Sequence, residues 1–131
     1  IRDSLQQGPK HHLADPALAA RLLGISPSGL LSNRAAHMFG PLFESLCALT
    51  LRVLAQANRA KVYHLRSNAG EREVDFIIEG AEREVLGVEV KLKPHIDDAD
   101  VRHLLWLRDR IPDRVTNLMG PYHGETGLCT T

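Results

Sequence analysis

Asp75, Glu89 and Lys91 are the residues whose types and spacing best suit chemistry at a single point. They lie in the stretch 73–93, "EVDFIIEGAEREVLGVEVKLK", where two apolar runs each carry charge in the middle. Burying such charges without partners is costly, so they either face water or serve a purpose. In a strand, residues two apart share a face. Glu89 and Lys91 therefore point one way, and Val88, Val90 and Leu92 the other. On the preceding run, Asp75 faces opposite to Val74, Phe76 and Ile78. If the apolar faces pack on one side, a hairpin gathers the three charges on the other. Two carboxylates supply hard oxygen ligands for Mg²⁺ or Mn²⁺, which keep waters and take substrate phosphate. An ammonium beside them can orient an attacking water and offset phosphate charge. The plain alternative is a salt-bridged pair on a solvated face, with Asp75 guarding an edge strand against pairing.

These residues need elements to position them. After a polar start with a break at Gly8-Pro9, residues 11–14 read as a short strand. Asp15 then caps a helix with Pro16 in its first position, and Gly24 closes it. Residues 26–34 read as loop. Gly40-Pro41 opens the longest helix, over 40–58, with Leu42, Leu46, Leu49, Val53 and Leu54 as its buried stripe. Glu44 falls in the first turn of that helix, as a further acid of the site or as a charge favoured by the helix dipole. Three strands follow, Lys61–Arg66, Glu73–Glu79 and 85–92, joined by turns short enough for antiparallel hairpins. Asp97, Asp98 and Asp100 then cap a helix to about Arg110, with Val101, Leu104, Leu105 and Ile111 on one face. "HIDDAD" is thus read as a helix start and not as a metal site. A last strand spans 114–119. The fold class is α/β: a mixed sheet, made of a three-strand meander plus a strand after a crossover helix, flanked by helices.

The composition is that of one ordinary globular domain. Sixteen basic and sixteen acidic residues cancel among 131, so no global field draws the chain to nucleic acid or anionic membrane. A local rim of Arg66, Arg72, Lys93 and Arg102 is the candidate for phosphate contacts, and solvent-facing charge is the commoner reading. Trp106 reads as helix packing. Cys47 and Cys129 lie far apart and read as thiols of a reducing compartment. The histidines, His11-His12 included, show no metal-ligand spacing. No run approaches membrane-spanning length and no signal sequence opens the chain, so a cytoplasmic location is expected. Ile1 in place of Met and an end at Thr131 read as a fragment of a longer protein. The sequence gives no oligomeric state.

The pattern Asp75, then Glu89-Val90-Lys91, with Glu44 on a preceding helix, resembles the PD-(D/E)XK nuclease superfamily. That resemblance implies a restriction-endonuclease-like core over 40–122. It assigns Asp75 and Glu89 to Mg²⁺ or Mn²⁺, Lys91 to the attacking water and Glu44 to orienting the site from the helix. "GPLFESL", "VYHLRSNAGEREVDFII" and "VLGVEVK" are also similar to the C-terminal domain of a prokaryotic family of AAA+-type ATPases, as is "KHHLADPALAARLLG" to the segment preceding it. This likeness implies that 1–39 leads in from an upstream ATPase part, that 123–131 is a truncated tail, and that any ATP binds upstream. Indeed, no G-x-x-x-x-G-K-[ST] occurs in the chain. The implied activity is metal-dependent hydrolysis of nucleic acid. The alternative is a non-catalytic module for partner recognition or oligomerisation of the ATPase.

Overall fold

The computed structural model describes residues 10–32, 34–67, 71–93, 97–121 and 128–130, with the backbone alone for 121 and 128–130. The Gly8-Pro9 break, His95 and part of the first hairpin turn lie outside the described residues. The chain divides into two compact units, Lys10–Val53 and Leu54–Thr131.

In the first unit, Asp15 caps α1 (Pro16–Leu22) as the sequence predicts, its Oδ1 accepting from the Leu18 N–H at 2.8 Å. Gly24 follows at φ +66°, a conformation open to glycine at no steric cost. Three expectations need correction. Residues 11–14 form no strand; the Leu13 N–H donates instead to Ser45 Oγ at 3.2 Å. The expected loop at 26–34 contains a short helix, α2 (Pro27–Leu30), whose cap is Ser26 with Pro27 in the first position. The longest helix, α3, runs Ala36–Ala57, so Pro41 lies inside it instead of opening it. Proline at that point removes one amide donor near the helix start, where few turns are disturbed. Glu44 accordingly sits in the third turn, beyond the reach of the N-terminal dipole.

The buried positions of α3 are Leu42, Ser45, Ala48 and Ala55, whereas Leu46, Leu49, Val53 and Leu54 are 38–58% exposed. The expected stripe is therefore turned by one residue step: periodicity marks an apolar face, but the side chains actually buried are mostly the small ones. α3 also meets the length and composition of a membrane-crossing helix, which corrects the reading that no run approaches that length; core helices of soluble proteins meet the same criterion.

The second unit is a five-stranded mixed sheet in the order β1-β2-β3-β4-β5, with one helix, α4 (Asp98–Arg110), crossing between β3 and β4. β1 (Lys61–Arg66), β2 (Glu73–Glu79) and β3 (Val85–Val88) form the antiparallel meander. β4 (Val115–Pro121) returns parallel to β3, as a crossover helix requires. β5 (Leu128–Thr130), in a segment read from sequence as tail, pairs antiparallel with β4. Asp97 and Asp100 build a reciprocal capping box on α4: each carboxylate accepts from the other's backbone N–H, at 3.1 and 3.0 Å. The "HIDDAD" acids are thus a helix cap. Leu104 and Leu107 of α4 bury against Val74, Val85 and Leu118, with Leu105, Trp106 and Ile111 packed around them. Leu107 is the core position that the sequence reading misses.

Gly87 lets α4 approach the sheet: a Cβ there would meet side-chain atoms of Leu104, Leu118 and Leu107 at 3.0–3.3 Å. Leu104 is 1% exposed at the centre of this contact. Leu104→Ala is expected to lower unfolding free energy by about 2–5 kcal/mol, measured by urea denaturation. A loss below about 1 kcal/mol would contradict the placement of the core.

Candidate functional site

The decisive local feature is a slip in the β1–β2 register. Tyr63 pairs with Ile77, but Leu65 pairs with Val74. His64 alone therefore opposes two residues, Asp75 and Phe76, in a β-bulge. Bulges interrupt strict alternation and re-aim side chains. Val74, Asp75 and Phe76 are accordingly all buried, at 0, 9 and 2% exposure, where the alternating pattern puts Asp75 on a separate face.

The second feature is the end of β3. The sequence predicts a strand over 85–92, but the ladder to β2 stops at Val88. The Glu89 N–H still donates to the Met119 carbonyl of β4 at 3.0 Å. The next amide, Val90, donates instead to Asp75 Oδ2 at 2.9 Å. A side-chain acceptor has taken the donor that a longer ladder would use, and the strand departs from β2 there.

These two features bring Asp75, Glu89 and Lys91 together. Lys91 Nζ donates to Glu89 Oε1 at 2.7 Å. The Glu89 residue is 6% exposed and the Lys91 side chain 30%. The carboxylates are thus buried, not spread over a solvated face, and the ammonium reaches water. Glu89 Oε2 is buried and takes no hydrogen bond among the described residues. Burial pushes the Glu89 carboxyl above its ordinary range, and the negative charge of Asp75 adds to the effect; the Lys91 ammonium and a hydrogen bond from the Asp75 backbone pull partly back.

Glu44, the fourth acid, belongs to the first unit, where its Oε1 pairs with Lys10 Nζ. The rim residues are largely engaged. Lys93 pairs with Asp100 at 2.6 Å and with Asp97 at 3.6 Å, holding the start of α4. Arg72 lies over the Trp106 ring, and Arg102 Nε donates to His103 Nε2. Among the described residues, no three His, Cys, Asp or Glu side chains gather as metal ligands. A cation here would rest on Asp75, Glu89, waters and substrate oxygens, as Mg²⁺ commonly does. The sequence reading missed the bulge and His103; "EVDF" contains no glycine or other sign of the extra residue.

Residues 39–128 match the model of the family described as Domain of unknown function (DUF4143). The chain belongs to that family. Neither among curated proteins nor among solved structures does any match the chain. The DUF4143 match spans the bulge at Asp75 and the Glu89-Val90-Lys91 segment, so both buried carboxylates lie within the family's own domain.

The buried Glu89 has a consequence for stability. Its pKa is raised on folding, so the folded DUF4143 domain binds a proton more tightly than the unfolded chain. The stability this contributes is present below the ordinary pKa near 4.5 and is lost as pH rises through the folded value. Urea denaturation between pH 4 and 8 should show the parent domain losing stability relative to Glu89→Gln as pH rises. A pH-independent difference between the two would contradict the burial of Glu89 as a carboxylate.

Proposed function

We propose that this DUF4143 domain hydrolyses phosphodiester bonds in nucleic acid, using a divalent cation held by Asp75 and Glu89. The observation carrying this reading is Glu89 Oε2, a buried carboxylate oxygen that takes no hydrogen bond among the described residues and lies beside a second buried carboxylate. A buried polar atom left in that state is expensive, and a cation would satisfy it. The chemistry Mg²⁺ or Mn²⁺ supplies when bound is polarisation of the phosphate and acidification of a bound water.

The chain's own residues have distinct parts. Asp75 is fixed by the Val90 N–H through one oxygen, Oδ2, so its carboxylate cannot rotate away from the Glu89 segment. Lys91, partly exposed and hydrogen-bonded to Glu89 Oε1, holds a proton donor where a phosphate oxygen or an incoming water would lie. Glu44, the helix acid of the PD-(D/E)XK resemblance, belongs to the other compact unit, where it pairs with Lys10, and takes no part in this proposal. In that reading the domain is the C-terminal module of a cytoplasmic AAA+-type ATPase, and ATP binds only in the ATPase part.

A second reading has its own support. The chain carries no net charge, and Lys93 is held in ion pairs by Asp97 and Asp100 at the start of α4. Proteins that act on bulk DNA usually present a free basic surface. A non-catalytic module for partner recognition or oligomerisation of the ATPase fits those facts.

Calorimetric titration separates the two. The domain should take up Mn²⁺ at millimolar concentration or below. Asp75→Asn, which keeps an acceptor for the Val90 N–H, and Glu89→Gln should each weaken uptake by about tenfold or more. With Mn²⁺ present, cleavage of oligonucleotides by the parent should be lost in Lys91→Ala while its thermal unfolding is unchanged. No Mn²⁺ uptake by the parent would sink the metal role, and uptake without cleavage would favour the non-catalytic module.

A further inference from the structure

A second cluster gathers at the start of β2, formed by residues that the hydrolysis itself does not need. Trp106, the one tryptophan of the chain, is half-buried with its side chain packed against the α4–sheet core. The Arg72 guanidinium lies over its ring, 5.7 Å from the centroid. One turn earlier on α4, Arg102 Nε donates to His103 Nε2 at 3.0 Å. A guanidinium only donates, so Nε2 must be the acceptor and Nδ1 carries the proton. His103 Nδ1 accordingly donates to the Glu73 carbonyl at 2.8 Å. This chain of contacts ties the exposed Arg102 to β2. Arg66, opposite Glu73 in the β1–β2 ladder, alternates with the core-facing Leu65 and so lies on the other face of the sheet, outside the cluster. Glu73 is two residues before Asp75, or about 6.6 Å along the strand.

A guanidinium backed by an indole is a flat cationic surface, and both kinds of plane stack with nucleobases. Bases inside a duplex have no free face to offer. Only an unpaired, unstacked base can lie on such a surface, so the geometry selects single strands. An exposed arginine one helical turn away is suited to a neighbouring phosphate.

We propose that Arg72, backed by Trp106, is a stacking platform for one base of a single-stranded nucleic acid, and that Arg102 holds an adjacent phosphate. His103 is a positioning residue that fixes Arg102. That the bound strand then passes to Asp75 and Glu89 rests on the hydrolytic reading; the binding itself does not.

The test uses the full chain in EDTA, with a short oligo(dT) strand and a duplex of equal length as probes. Trp106 is the sole tryptophan, so intrinsic fluorescence reports directly on the stack. The single strand should quench Trp106 and bind about tenfold more tightly than the duplex. Arg72→Ala should remove the quench and weaken binding by about tenfold. Arg72→Lys, which keeps the charge but loses the plane, should behave like Arg72→Ala while unfolding at the parent's temperature. Arg102→Ala should weaken binding with the quench retained at saturation. Absence of quenching, equal or tighter duplex binding, or parent-like binding by Arg72→Lys would each overturn the proposal. Strand binding without Mn²⁺ uptake would leave it standing and remove the hydrolytic reading. Mn²⁺ uptake without strand binding would do the reverse.

Discussion

The hydrogen bond from the Val90 N–H to Asp75 Oδ2 is the contact on which the candidate site depends. It joins the bulge in β2 to the end of β3 and makes two irregularities into one arrangement. Without it, Val90 would be free to extend the ladder, and Glu89 and Lys91 would continue a regular alternating strand. With it, β3 stops at Val88, and a carboxylate that would be costly to bury alone is held against a backbone donor. Asp75 serves both fold and chemistry, because the same bond that satisfies one oxygen fixes its carboxylate beside Glu89.

The sheet core makes this irregular corner affordable in structural terms. Val74, Val85, Leu104, Leu107 and Leu118 form a tight contact between α4 and the sheet, and Gly87 gives the helix room to sit close. At the start of α4, the Asp97–Asp100 box caps the helix and Lys93 pairs with Asp100. The lysine of the site is therefore bracketed by a strand end and a capped helix. Such a frame can hold an unsatisfied carboxylate oxygen in place, which a mobile loop could not.

Much of this frame is legible in the sequence. Strand positions, hairpin turns, the acidic cap and the crossover to β4 follow from period-two patterning and from Asp, Gly and Pro signals. The same patterning leads to an expected convergence of Asp75, Glu89 and Lys91, which the structure reaches through the bulge and the Val90 bond. What it does not reveal is why they converge. The bulge leaves no mark in "EVDF", because its cause is the register with β1, a partner far along the chain. The early stop of β3 is equally hidden, since it comes from a side chain fifteen residues away. The buried face of α3 is hidden for a different reason: leucines announce an apolar side, yet beside Leu42 the buried positions are Ser45, Ala48 and Ala55. Ser26-Pro27 carries the start signal of α2, but the helix is too short to outweigh the Ser, Gly and Pro around it.

The central claim is that Asp75 and Glu89 form a divalent-cation site. Anomalous diffraction at the manganese edge from Mn²⁺-soaked crystals tests it most directly. The account predicts a peak within coordination distance of Glu89 Oε2 and an Asp75 oxygen, absent in crystals of Asp75→Asn. A peak elsewhere, or none while Lys91 Nζ occupies the space between the two carboxylates, would contradict it.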